Sequence, residues 1–247
     1  MFVIKKNSLI LCLTLFIVAC SIGAVPVRQA FKSGKRNLPV YNVEREDNFI
    51  ALTFNCAWGD GDIDLILSTL KEKNAKATFF LVGEWAEKYP ESAKKISDAG
   101  HELGGHSYNH KDYAKLSKED VGQDAMKTAE IIKAVTGKEV MLVRPPSGSY
   151  NNSAIDGIEG VGFIPIQWSV DSIDYGGADK EAIVRRVTEK TKAGDIVLMH
   201  TGTDNTAAAL PEILADLCGK YELHTVSELL YGKNYYIDNA GKMHKTN

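Results

Sequence analysis

In HSYNH, His106 and His110 stand four residues apart, a spacing that on one helical turn brings two imidazoles to a single metal ion. RPPSG, Arg144 to Gly148, sets a guanidinium on a rigid turn directly after an apolar run; WSVDSIDY offers Asp171 and Asp174; LMH ends another apolar run in His200. ALTFNCAWGDGD ends a strand-like run in Asn55 and Cys56, with Asp60 and Asp62 in the loop beyond. Each segment also has a plainer reading: surface or core histidines, a proline turn with a surface ion pair, helix-capping aspartates, a packed core histidine.

The elements that must position these residues are legible in the hydrophobic pattern. FIALTF, ATFFLVG, VMLVR, GFIPIQW, GDIVLMH and YELHTV have strand length and β-branched or aromatic content. Between them DIDLILSTLKEKN, EWAEKYPESAKKISDAG, SKEDVGQDAMKTAEIIKAVTG, DKEAIVRRVTEKTKAG and TAAALPEILADLCGK show helical spacing, several with Ser or Asp starts and Gly stops. Such alternation implies parallel strands with helices outside. In barrels of this kind chemistry sits at the carboxyl ends of the strands, where Asn55, Cys56, His106, His110, Arg144, Asp171, Asp174 and His200 all fall.

Taken in this order, the segments resemble the polysaccharide deacetylases with the NodB homology domain, carbohydrate esterase family four, over about Leu38 to Leu230. TFNCAWG is similar to the first motif of a subgroup associated with sporulation. The resemblance implies an α/β fold, a distorted (β/α) barrel, and metal-dependent deacetylation of an N-acetylated glycan such as peptidoglycan or a chitin-like polymer. It implies that His106 and His110 hold a divalent metal, usually zinc, and that Arg144 orients the base. It further implies that the backbone N–H of Ser147 stabilises the oxyanion, that Asp174 holds the acid His200, and that Leu198 walls the acetyl pocket. Ser147 stands where Tyr is usual and Tyr175 where Trp is usual. In this chemistry a cation polarises the amide carbonyl, water attacks, and an acid protonates the departing amine. A His200 held by Asp174 is expected to stay cationic near neutral pH.

The base half departs from the pattern. Asn55 occupies the general-base position, and an amide takes no proton from water; Cys56 replaces the usual carboxylate ligand. Asp62 is the preferred third ligand and Cys56 the next, with a solvated loop carboxylate as the bland account of Asp62. Three readings follow: a slow enzyme, a glycan-binding module with Trp58 and Tyr175 as stacking surfaces, or a structural protein of the envelope or spore. His101 is expected to secure the turn before the metal histidines, and Cys218 to be a buried filler.

At 247 residues with 44% hydrophobic content the chain can bury one large core, and its net charge of −3 provides no basic field for nucleic acid. Nothing marks a protein partner. Residues 1–27 read as a signal peptide or membrane anchor, with a charge-free apolar stretch from Ser8 to Val27. Residues 28–40 read as a linker, 41–231 as the deacetylase-like domain and 232–247 as an irregular tail. The expected location is extracytoplasmic, anchored in the membrane or secreted. With Cys12 and Cys20 in the leader, only Cys56 and Cys218 remain to pair, and a helix of roughly 18 Å rise separates their rims, so no disulfide is expected.

Overall fold

A computed structural model of the protein describes residues 37–246; the expected export segment and most of the linker lie outside the described residues. The strands in chain order are β1 (Asn42–Val43), β2 (Phe49–Cys56), β3 (Thr78–Leu81), β4 (Glu102–Gly105), β5 (Leu142–Val143), β6 (Ile164–Pro165), β7 (Val170–Asp171), β8 (Ile196–His200), β9 (Glu222–Leu223), β10 (Tyr235–Ile237) and β11 (Lys242–Lys245). Eight of them form one curled sheet in the order β6-β5-β4-β3-β2-β8-β7, with β9 beside the start of β2. Every pairing in it is parallel, and helices lie outside, as the alternation of apolar runs implies. The expected α/β fold, a distorted barrel, is the fold found.

Strand parity divides the core. Ile50, Leu52, Phe54 and Cys56 of β2, with Val197 and Met199 of β8, pack against the helices. Ala51 and Ile196 face the other way, into the cluster closed by Phe80, Val226, Leu229 and Met243. Because side chains alternate with period two, the inward row of β2 runs Ala51, Thr53, Asn55 and that of β8 runs Ile196, Leu198, His200. Each row is apolar where the core is closed and polar at its carboxyl end.

Helix boundaries follow their caps. Ser117 Oγ accepts the Asp120 N–H at 3.1 Å to open Lys118–Thr136, which Gly137 ends at φ 73°. Asp179 opens Lys180–Lys190 in the same way through Ala182 N–H at 2.7 Å. EWAEKYPESAKKISDAG forms two helices, Gly83–Lys88 and Pro90–Asp98, because Pro90 starts a new one at its first position.

The tail corrects the expectation of an irregular extension. β10 and β11 form an antiparallel hairpin, β11 pairs in parallel with β1, and Met243 is buried in the core. Together they fasten the segment that crosses the sheet's open seam, where Val40 N–H bonds to Pro165 O at 2.9 Å and Val43 N–H to Gly194 O at 2.9 Å. Cys218 is exposed rather than buried, and Cys56 and Cys218 are both free thiols.

Candidate active site

At the carboxyl ends of the strands lies a cleft of about 210 Å³ lined by Asn55, Ala57, Trp58, His106, His110, Ser147, Trp168, Tyr175, Leu198 and His200. Pockets for drug-sized ligands run to about 300–1,000 Å³, so this one admits a single group of a larger molecule lying across it. Asn55 and His200 are register partners on β2 and β8, which seats them side by side on the inner face.

His200 is held from behind. Its Nδ1 and the Asp174 Oδ1 are 2.7 Å apart, and its backbone N–H donates to Asp174 Oδ2 at 2.7 Å. A carboxylate partner makes Nδ1 the N–H atom and leaves Nε2 for the cleft. Thr206 Oγ1 donates to the same Asp174 Oδ2 at 2.6 Å. Burial pushes the Asp174 carboxyl up, and these hydrogen bonds outweigh it, holding it below the usual carboxylate range. Asp171, by contrast, accepts the Ile173 N–H at 2.8 Å and supports the left-handed backbone of Ile173 at φ 55°. Of the two aspartates, Asp171 shapes the turn and Asp174 meets the histidine.

On the opposite side, Arg144 is fully buried and donates from Nη1 to Asn55 Oδ1 at 2.9 Å and from Nη2 to Gln167 O at 3.2 Å. Its guanidinium carbon lies 3.9 Å from the centre of the Phe80 ring, and its Nε has no partner. Phe80 reaches this position because Gly104 makes room: a Cβ there would stand 2.5 Å from the ring. Burial lowers the Arg144 pKa well below its ordinary value and outweighs the opposing charge of Asp171; the neutral Asn55 adds an acceptor but no counter-charge.

His106 and His110 come together with ring centres 5.0 Å apart. They do so on a loop rather than on a helical turn, with Ser107 at φ 65° and His110 at φ 59°. Asp124 holds this loop by accepting the Tyr108 N–H at 2.9 Å and the Tyr113 hydroxyl at 2.7 Å. Non-glycine left-handed residues cost about 1–3 kcal/mol each and gather at functional sites; Ser107, His110, Ser147 and Ile173 all flank this cleft or its loops. His101, expected to secure the turn before the metal histidines, instead accepts the Ala77 N–H at 3.3 Å just before β3, while burial lowers its pKa to about 4.

The two imidazoles fit a divalent cation. His106 Nδ1 is paired with Arg144 O at 2.8 Å, and its Nε2 is buried without a hydrogen-bond partner, the arrangement of a ring oriented from behind to present one lone pair. Burial lowers the pKa of both rings, and His110 and His200 add to the effect on His106 and His110 respectively, so both stay neutral and able to ligate. The donor set is short, however: among the described residues no group of three or more His, Cys, Asp or Glu could hold a metal. The structure does not bring Cys56 or Asp62 to the imidazoles. Cys56, next to the inward Asn55, points by parity into the helix-packed core, where burial raises its thiol pKa. The Asp62 carboxylate accepts the Gly202 N–H at 2.9 and 2.8 Å, tying the two loops beside His200 together.

Ser147, at φ 54° on the turn after Arg144, and Leu198 both line the cleft as expected. Trp58 and Tyr175 lie with ring centres 5.2 and 5.3 Å from that of His200 and are 48% and 52% exposed, so their faces are open to a ligand. Thr206, Asp124 and Trp168 were given no role by sequence reasoning; of these only Thr206 carried a signal, a hydroxyl at the start of the helix that follows His200.

The polysaccharide deacetylase family profile matches residues 42–165. The chain is 36% identical to the uncharacterized Bacillus subtilis protein YlxY over 193 residues, 78% of this chain and 60% of that one. It is 32% identical over 200 residues to a Bacillus cereus peptidoglycan-N-acetylglucosamine deacetylase, covering 78% of this chain and 93% of the relative. The structure of a CE4 family pseudoenzyme from Bacillus anthracis superposes with TM-score 0.75 at 33% identity, covering 85% of this chain and 73% of that one. A mutant described as a CE4 family pseudoenzyme with restored enzymatic activity superposes with TM-score 0.75 at 35% identity, covering 78% and 71%. The chain spans 60%, 55% and 48% of the length of the first curated relatives it matches.

Proposed function

This chain belongs to the polysaccharide deacetylase family, and from that premise we propose that it is a low-turnover deacetylase of an N-acetylated envelope glycan, with peptidoglycan as the leading substrate class. The observation that carries the reading is the pairing of Asn55 with His200 across β2 and β8, with Asp174 2.7 Å behind the histidine. The acid half of an amide hydrolase stands complete beside a base position that holds an amide.

His106 and His110 would hold a divalent cation, zinc being one that imidazole suits, and it would supply a Lewis acid for the acetyl carbonyl. The chain's own residues do the rest. The acetyl group enters past Leu198, with the Ser147 N–H on the wall as donor to the developing oxyanion. Water adds to the carbonyl carbon and loses its proton to bulk solvent, the C–N bond breaks, and protonated His200 gives its Nε2 proton to the departing amine; acetate and a free amino sugar leave. Asp174 and Thr206 keep the His200 ring oriented. Arg144 fixes Asn55, which can bind water or substrate but accepts no proton, so the step that needs a base is slow. A positioned base is worth about 10²–10⁴ in rate.

A second reading, glycan binding without turnover, is favoured by the short donor set and by the similarity to a pseudoenzyme. Acetate release from N-acetylglucosamine oligomers and peptidoglycan fragments, measured with and without added zinc, separates the two. Slow, zinc-dependent release that His200→Ala abolishes is the expected outcome; glycan affinity with no acetate at any zinc concentration overturns it in favour of the module. The deacetylase-like domain expected at 41–231 also takes in the hairpin of β10 and β11, and residues 1–27 carry it outside the cytoplasm through the linker 28–40.

A further inference from the structure

A second recess, about 330 Å³, opens on the far side of the loop that carries Asp174. It is lined by Ser172, Ile173, Ala178, Ala182, Arg185, Arg186, Glu189 and Lys190. Three cations face one anion there. Arg185 and Lys190 are exposed and Arg186 is half-buried, and among the described residues none of the three joins an ion pair. Lys180, on the same helix, pairs with Glu212. The small side chains of Ala178 and Ala182 leave the floor open beneath the arginines.

The recess and the cleft share a wall. Ser172 and Ile173 face the recess, while Tyr175, two residues on, lines the cleft with its ring against His200. The left-handed backbone of Ile173, held by Asp171, is what turns the loop so that it serves both sides. Arg186 is near enough to Tyr175 for its charge to act on the phenol.

We propose that this basic recess is an accessory subsite for a carboxylate carried by the glycan whose acetamido group occupies the cleft. The inference rests on the glycan reading above and sharpens it, since it selects a muramyl or peptide-bearing glycan over a neutral chitin-like one. Guanidinium groups match carboxylates in fork geometry, and unpaired cations beside a cleft retain an anionic ligand in a salt-dependent way.

The test is binding of the full chain to three probes at low and high salt: a neutral N-acetylglucosamine tetramer, a muramyl tetrasaccharide with free carboxylates, and the same compound with its carboxylates amidated. The carboxylate form is expected to bind roughly fivefold or more tightly than the other two, from two partly exposed ion pairs. Arg185→Gln/Arg186→Gln is expected to erase that preference, as high salt does, while leaving affinity for the neutral tetramer and the melting temperature unchanged. Equal affinity for all three probes overturns the subsite but leaves the cleft reading standing. A double variant that loses neutral and charged probes alike also overturns it, and a recess that binds inorganic phosphate but shows no preference for the carboxylate probe overturns it in favour of a different anion. Absence of binding by every probe removes the cleft reading and this inference with it.

Discussion

An amide and a carboxylate of the same shape differ by one charge, and at position 55 that charge acts on a guanidinium whose burial the charge of Asp171 does not offset. Arg144 is wholly buried, and Asn55 gives it a neutral acceptor at 2.9 Å. A hydrogen bond between charged partners is worth about 1.5–3 kcal/mol, more than a neutral one. Asn55→Asp is therefore expected to raise stability by about 2 kcal/mol, read as a higher melting temperature in the zinc-free protein. A lower melting temperature would mean that the introduced carboxylate is not reached by Arg144. Much of this scale was legible in the sequence: the resemblance pointed to His106, His110, Arg144, Asp174 and His200, and the structure gathers the three histidines around one cleft, with Arg144 buried behind Asn55 and Asp174 behind His200. What sequence reasoning passed over was parity. Once Asn55 faces inward, its neighbour Cys56 must face the helices, so adjacency in the chain argued against a shared ligand set.

At the scale of elements, the runs FIALTF, ATFFLVG and GDIVLMH read as strands because both their faces are buried and their apolar content is continuous. β4 did not, because its sequence ELGG carries two glycines that sequence reasoning treats as a turn. Gly104 is there to admit Phe80, which supports Arg144. Gly104→Ala is expected to cost about 1–3 kcal/mol through overpacking and to weaken zinc binding by shifting Arg144 O away from His106; unchanged stability by denaturant titration would show that Phe80 can yield. The helix Asn152–Gly160 was missed for a similar reason, its Gly157 allowing close approach to Lys118 O. The hairpin of β10 and β11 was hidden by polar composition, since ion pairs hold much of it in place: His244 lies 2.9 Å from Glu44 and 2.9 Å from Asp238. Hydrogen bonding to Asp238 raises the His244 pKa, and hydrogen bonding to His244 lowers that of Glu44. Burial pushes Asp238 up, but His244 and the N–H groups of Lys242 and Ala240 together more than offset it. The histidine's contribution is full below its unfolded value and lost as pH rises through its raised folded value. That of the carboxylates is full above their unfolded values and lost as pH falls through their lowered ones. The melting-temperature gap between the protein and His244→Gln is thus expected to peak at about pH 5–6 and to shrink on both sides; a gap independent of pH contradicts the ion-pair account.

For the molecule as a whole, the sheet's curl turns one row of side chains from apolar at the closed end to polar at the open end, so the same parity that builds the core builds the site. The strap through Val40 and Val43 and the hairpin that fastens it close the seam left by the short edge strands β6 and β7. The seam was not legible because strands of two residues carry no periodic signal. The helices and the long strands were, because their caps and buried faces agree. On this frame the proposed reading has the acid in place, the cation ligands present in part, and an amide where the base would stand. Acetate release by Asn55→Asp, set beside the unaltered protein at equal zinc and substrate, tests that account most directly. A rise of at least about 10² is expected. No rise in a variant that still binds zinc and glycan would contradict it.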